Sequence, residues 1–302
     1  MKKTILLLLV TLSLNAKIIT PNDVYAESML IQSHLHFLLK HYEVQHNHEE
    51  ISKRTTLSIN LKPRNAWQKS YEILVKINML RAQHNLPRIE PIGMEPVEKL
   101  NPDMVYEMTQ RILAEIKIFE IRNDINPPLF KVKKYRNKTP LDVYNSFGHI
   151  SATFDELNHA ELSPSYVFAE TMRIYDDLTL IIKHLNIKDK TVPSQRLLKA
   201  TPKDSLKISM KVLEKIKVLQ RSVGIDTIDM SAFNKKDVLP SDVYSITGVI
   251  LSELQPIKAY IGLKDKVTTP ALEYNKKVPS DIEQLMQWNF RKLSLIHKLQ
   301  RK

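Results

Sequence analysis

A short helix-start motif that recurs along the chain is the feature that most constrains its fold. In its clearest form, a residue at the cap is followed by proline, then an aspartate in the first helical turn, then valine and tyrosine. A Thr or Asn cap accepts a hydrogen bond from an unpaired backbone N–H, and proline at the first helical position loses no bond. An acidic residue in this turn reaches back to the cap. The motif therefore predicts where helices begin and does not itself indicate a function.

The spacing of these prolines indicates a duplication. Full or partial copies begin at Pro21, Pro63, Pro102, Pro140, Pro164, Pro202, Pro240 and Pro279. Consecutive starts lie 38 to 42 residues apart, except for one spacing of 24. Matching starts in the two halves are 138 or 139 residues apart, and 143 for the first pair. We predict an all-α fold, a tandem duplication of a four-helix unit with eight main helices.

The segments between the helices predict the direction in which those helices run. Most are about 16 residues long and contain proline, so when extended they reach roughly 50 Å, farther than a 20-residue helix of about 30 Å. Long extended connectors therefore allow consecutive helices to run parallel. Only the short link at 159–163 requires an antiparallel turn. The pattern leaves open whether the helices form a repeat solenoid or two separate bundles.

The first residues are typical of a secretory signal peptide. Lys2 and Lys3 precede an apolar stretch, and Ala16 is a small residue before the expected cut. A second cleavage pattern ends at Ala26 but would remove the first helix start, so the exact cleavage site stays open. We predict a periplasmic or secreted protein without a transmembrane helix in the mature chain. The predicted domains are a signal peptide, a first unit and a second unit, at 1–16, 17–160 and 161–302.

Composition argues against the common enzyme classes. The five glycines are scattered, whereas phosphate-binding loops need clustered glycines. The chain has no cysteine, no His-Glu-x-x-His zinc motif and no Gly-x-Ser-x-Gly nucleophile turn. We therefore predict that the protein is not an enzyme and has no cofactor. We assign no catalytic, cofactor-binding or metal-ligating residue.

Histidines form the strongest candidate for a binding site. Five of the ten lie in one stretch, namely His34, His36, His41, His46 and His48. Imidazole is a good ligand for zinc, copper and nickel. The alternative is a set of surface histidines around a helix end. The sequence does not decide whether this cluster binds metal.

Two basic segments and four repeated tyrosines complete the set of candidates. A basic run at 131–138 precedes a predicted helix, and 291–302 is predicted to be a basic amphipathic helix. The first suits anionic lipid head groups or glycan, although a solvated loop is the favoured interpretation, and the second could close the second unit or pack on a membrane or a partner. For an exported chain with net charge +12 we expect no nucleic-acid partner. The tyrosines at 25, 106, 144 and 244 are typical of the edge of a helical core.

Repetition, export and missing catalytic motifs together favour an exported scaffold or adaptor that binds protein partners in a cell-envelope assembly. The alternative is a periplasmic sensor or carrier that binds a small ligand or a metal between its helices. The partner, the pathway and the oligomeric state are not encoded in any pattern that we find.

Overall fold

The computed structural model describes residues 18–55, 60–90, 95–97, 99–230, 233 and 237–299, except for the side chain of residue 54. The predicted signal peptide lies outside these residues. The helices are α1 (Pro21–His41), α2 (His48–Thr55), α3 (Pro63–Gln83), α4 (Pro102–Arg122), α5 (Pro140–Leu157), α6 (Pro164–His184), α7 (Pro202–Arg221), α8 (Pro240–Tyr260) and α9 (Pro279–Ser294). The described ranges contain no strand, so the predicted all-α fold is confirmed.

Each of the eight predicted starts is the first residue of a helix, and the expected bonds between cap and aspartate form where the cap is Thr. Asp142 accepts hydrogen bonds from the backbone N–H and the hydroxyl of Thr139, at 2.8 and 2.7 Å. Asp204 makes the same pair of bonds with Thr201. The short helix α2 has no such start and was not predicted.

The long helices that precede connectors share an end as well as a start. Two or three residues after each helix, one residue has a positive φ between 55 and 94°, and these residues are Glu43, Asn85, Asp124, Asn186, Gly224 and Gly262. This left-handed residue ends the helix and redirects the chain. The connectors therefore leave the helices at equivalent points.

The same packing pattern occurs twice. In the first unit, α1 and α3 each pack against both α4 and α5, and in the second unit α6 and α7 each pack against both α8 and α9. Hydrogen bonds join like ends of helices. Near the helix starts Ser28 contacts Ser146, and at the helix ends Gln83 donates to the carbonyl of Asn158. The helices of a unit therefore run parallel, with connectors that return along them.

The repeated tyrosines belong to this packing. Tyr244 is buried and donates to Glu170 at 3.0 Å, and the equivalent Tyr106, partly buried, donates to Glu27 at 3.3 Å. Tyr144 is also buried, which agrees with the prediction of a core role.

The two units meet through α3 and α8. Arg64 donates to Glu253 at 2.8 Å near the start of α3, whereas Lys69, further along α3, donates to Ser245 near the start of α8. The two helices are therefore antiparallel. This contact buries nearly every side chain of α3, including Trp67. The proposed boundary after residue 160 falls in the link between α5 and α6.

The last helix is shorter than its sequence predicts. Helix α9 ends at Ser294, and residues 295–299 follow without helical structure. Ile296 and Leu299 remain buried in this tail. The expectation of a helix over 291–302 holds for 291–294 and is wrong for 295–299, because apolar residues three apart also suit a tail that packs at intervals, and 300–302 lie outside the described residues. None of the helices in the described ranges has both the length and the apolar content that crossing a bilayer requires.

Candidate metal centre

The connector after the first helix is where the two units begin to differ. Glu43 and Asn186 turn the chain identically after α1 and α6, with φ of 55 and 56°. From there, the connector of the first unit covers 42–62 and that of the second covers 185–201. The first connector is four residues longer and contains α2.

Helix α2 is held against α5 by a cap, an apolar anchor and a glycine. The Asn47 side chain accepts a hydrogen bond from the Glu50 N–H at 3.1 Å, which caps α2. Ile51 is buried beneath the helix. Gly148 of α5 faces Thr55, and a Cβ at this position would lie 3.3 Å from the Thr55 Cβ. The missing side chain lets α2 approach α5, and the chain between α1 and α2 is thereby placed over α5.

Three histidines meet at this crossing. His46 lies in the connector, His48 is the first residue of α2, and His149 projects from α5. One ring nitrogen from each lies within 4.8 Å of the others. The ring centroids of His48 and His149 are 4.4 Å apart, and those of His46 and His149 are 5.8 Å apart. The arrangement joins residues about 100 positions apart in sequence.

A carboxylate orients one of these rings. Nδ1 of His46 lies 2.6 Å from Oε2 of Glu156, about two turns further along α5 from His149. This contact leaves Nε2 of His46 available to face a ligand. Histidines that bind metals commonly use their other nitrogen in this way, because a carboxylate fixes the ring and raises its basicity.

His149 is prepared differently. Its Nε2 lies 2.8 Å from Nδ1 of His48, and its Nδ1 is buried without a hydrogen-bond partner among the described residues. Burial, with the neighbouring His48 and His46, lowers the pKa of His149 to about 4. The ring is therefore neutral near pH 7, and only the neutral ring has a lone pair that can bind a metal.

The three rings border a cavity of about 340 Å³ between α1 and α5. His36 of α1 lies at the same cavity, with its ring centroid 6.5 Å from that of His46. Zinc binds histidine nitrogens at about 2.0–2.1 Å, so two ligands of a tetrahedral ion are separated by roughly 3.3 Å. The ligand atoms lie within 4.8 Å of one another, and His48 and His149 are 2.8 Å apart, so an ion would bind with small rotations of these rings.

The second unit fills the equivalent position with side chains that bond to one another. The duplication places Asp189, Thr191 and Trp288 where the first unit has its histidines. Asp189 pairs with Lys292, and the Trp288 indole N–H donates to the Thr191 hydroxyl at 3.0 Å. The Lys292 ammonium also lies 4.4 Å from the centroid of the Tyr175 ring. No cluster of three metal-ligating side chains is found here within the described residues.

The histidines singled out by the sequence separate in the structure. His34 is buried, and its Nδ1 lies 2.8 Å from Glu120 of α4. His41 is exposed and its ring contacts that of Tyr42. His46 and His48 do enter the cluster. His149 was not predicted. It corresponds to Trp288 of the second unit, so a comparison of the units would have marked it as a position that differs between them.

The basic run before α5 is anchored at one end. The Lys138 ammonium lies 4.2 Å from the centroid of the Tyr25 ring, and the Tyr135 ring packs edge-on against Tyr25 at 5.0 Å. Lys131 to Lys134 are exposed. These residues form a solvated segment strapped to α1.

Comparison with protein-family models, curated proteins and solved structures gave no match in any of the three.

Proposed function

We propose that this chain is an exported helical protein whose first unit binds one divalent transition-metal ion through His46, His48 and His149. The observation that carries the proposal is the convergence of three ring nitrogens within 4.8 Å at the wall of a cavity. Glu156 behind His46 supports it, because metal-binding histidines almost always donate their other ring N–H to a carboxylate, a backbone carbonyl or water.

The donor set narrows the choice of metal. Three imidazoles suit zinc, copper or nickel, whereas magnesium and calcium prefer oxygen ligands. The chain has no cysteine, so thiolate does not contribute. His36 is the nearest additional imidazole and is the fourth ligand that we propose. With His36 as ligand the site is closed, which suits a carrier or a sensor more than a catalytic centre.

Isothermal titration calorimetry with zinc, copper and nickel tests the proposal. We expect wild type to bind one equivalent of at least one of these ions, and H46A/H48A/H149A to bind none at this site. The variant H41A/H297A also loses histidines, but both are exposed and outside the cluster, so its affinity should equal that of wild type. Equal affinity in the triple variant would refute the site.

X-ray absorption spectroscopy on the loaded protein tests the geometry. We expect three or four nitrogen ligands at about 2.0–2.1 Å if the ion is zinc. The variant H36A should remove one of four nitrogens and leave the other three. A first shell made mainly of oxygen would contradict the proposed ligands.

Export is part of the proposal and rests on the pattern of residues 1–16. N-terminal sequencing of the protein recovered from the periplasm or the medium should show a chain that begins after Ala16. A protein found only in the cytoplasm with its first residues intact would contradict it.

An adaptor function is a second proposal, with its own supporting observation. Helix α4 exposes two apolar side chains one turn apart, Ile118 and Ile121, at 41% and 72% exposure. Such residues are typical of a surface that a protein partner covers. A photo-crosslinking residue at position 121 should capture a partner in cells, while the same residue at exposed position 107, nearer the start of α4, should not. Equal labelling at both positions would argue against the adaptor function. The anionic-surface contact predicted for 131–138 remains a proposal, supported by the exposure of its lysines.

A further inference from the structure

The outer side of α7 carries a row of lysines at helical spacing. Lys203, Lys207 and Lys211 are four residues apart, and all three are exposed. Residues four apart lie on the same side of a helix, so the three ammonium groups project together. We call this surface, with the turn that precedes α7, the α7 basic face.

The segment that contains this face is strongly basic. Residues 188–221 contain ten Lys or Arg and three acidic residues, a net formal charge of +7 within a chain of +12. Of the acidic residues, Asp189 is paired with Lys292, and Glu214 with Lys217 and Arg221. A concentration of one sign of charge on one helix attracts an anionic partner more strongly than the same charge spread over the molecule.

The duplication shows that these lysines are not required by the fold. The residues of α3 that correspond to Lys203, Lys207 and Lys211 are Arg64, Gln68 and Glu72, which take part in the buried junction of α3. Tyr71 of the same helix is buried, and its counterpart is Met210. Lysine is depleted from protein interfaces, so this exchange disfavours a second copy of the chain packing on α7 as α8 packs on α3.

Two exposed leucines adjoin the lysines. Leu197 and Leu198 are 50% and 86% exposed, in the turn that leads into α7. Lys199 follows them directly and Lys203 begins the row. An anionic polysaccharide would bind the lysines but would not bury the exposed leucines. A bilayer binds basic groups at its surface and also buries neighbouring apolar side chains at the boundary of its acyl chains. The combination therefore favours a lipid surface.

We propose that the α7 basic face docks this protein on an anionic lipid bilayer, with Leu197 and Leu198 inserted at the boundary and the lysines against the head groups. The face lies in the second unit, so this inference is independent of the metal site.

Vesicle co-sedimentation tests it, with the protein purified in its natural processed form. The vesicles are pure phosphatidylcholine, or phosphatidylcholine with about 30% phosphatidylglycerol, so that only the second kind is anionic. We expect binding to the anionic vesicles only. K203Q/K207Q/K211Q should lower the partition coefficient about 100-fold, because each basic residue at such a surface contributes roughly a factor of five. L197S/L198S should lower it about tenfold, and this loss should persist at high salt.

The matched control is K40Q/K99Q/K117Q, which removes the same charge from exposed positions of the first unit outside both basic segments and should leave binding unchanged. The proposal is overturned if this control loses as much affinity as the α7 variant, since net charge alone then explains binding. It is also overturned if wild type binds both vesicles equally. Binding to heparin without binding to anionic vesicles would identify a glycan instead. A concentration-dependent dimer that K203Q/K207Q/K211Q abolishes would identify a second copy.

Discussion

Where the connector after its first helix crosses its last helix, the first unit has three histidines and the second has an aspartate, a threonine and a tryptophan. The helices beneath are equivalent, with the same starts and packing partners. In the second unit Asp189 and Trp288 find partners within the protein. In the first unit His149 keeps a buried nitrogen without a partner among the described residues. Equivalent backbones thus carry, in the second unit, side chains that bond to one another and, in the first unit, a buried nitrogen that lacks such a partner within the described part of the chain.

The second helices of the two units differ just as much. Helix α3 is covered on nearly all sides and brings charged side chains into the interior, such as Lys69 and Glu72. Helix α7 has equivalent neighbours within its own unit but presents a basic face outward. One duplicated helix has become the junction of the molecule and its copy has become a surface.

The difference between the two connectors is tested most strongly by replacing the three histidines of the first unit with the equivalent residues of the second. H46D/H48T/H149W should abolish metal binding, with a loss of at least about 1000-fold in affinity, because no ligand nitrogen of the cluster remains. The cavity beside the rings has room for the larger indole, but H46D brings a second carboxylate to Glu156 without the lysine that pairs with Asp189, so the melting temperature should fall by a few degrees. Calorimetry and thermal melts measure both. Retained affinity would place the metal elsewhere.

The contrast between buried α3 and exposed α7 predicts that the stability of the protein depends on pH. Glu95 is buried against Gln68 of α3, and burial raises its pKa from 4.5 to about 8. The folded state therefore keeps this proton up to about pH 8, whereas the unfolded state loses it near 4.5. The stabilisation that protonated Glu95 contributes is complete below pH 4.5 and is lost as the pH rises through 8. The free energy of unfolding should therefore fall by about 3 kcal/mol between about pH 6 and pH 9.

Denaturant melts across this range measure the effect. E95Q should remove it, since glutamine does not titrate. K207Q, at the position of α7 that matches Gln68, should leave the pH dependence unchanged because this side chain is exposed. An identical pH dependence in E95Q would show that Glu95 is ionised in the folded protein.

A third prediction concerns the ion pair of Asp189 and Lys292 in the second unit. Lys292 is 2% exposed, pairs with Asp189 and lies over the Tyr175 ring. K292A should lower the free energy of unfolding by about 2 kcal/mol, because it removes the packing of a buried side chain and its cation–π contact with Tyr175. The matching change in the first unit, T153A, should cost under about 1 kcal/mol. Equal losses in K292A and T153A would mean that the ion pair of Lys292 and Asp189 adds no stability.

The smallest expected effect concerns Glu156. E156Q keeps an acceptor beside His46 but removes the charge, so the metal affinity should fall about tenfold. The equivalent residue in the second unit is Leu295, consistent with a role limited to the first. E49Q, a nearby exposed change, should not alter affinity. An unchanged affinity in E156Q would mean that the carboxylate does not tune the ligand.

The helix starts were predictable because proline, cap and aspartate act within one turn, so each needs only local sequence. The parallel arrangement followed from connector length. The candidate site was predictable only in part. His46 and His48 stand out as neighbours in sequence, but His149 is about 100 residues away, and only folding brings it there. Helix α2 was missed because it follows an Asn47 cap without the proline signal, and its stability depends on contact with α5.

The parallel course of the helices has an electrical consequence. Each helix carries about half a negative charge at its carboxyl end, and in the first unit these ends point the same way. At the opposite ends the capping aspartates Asp23 and Asp142 offset the positive charge. His46 and His48 belong to the connector that leaves this end of α1, whereas His149 lies near the middle of α5. The carboxyl ends of the first unit are therefore the side on which the helix dipoles attract a cation.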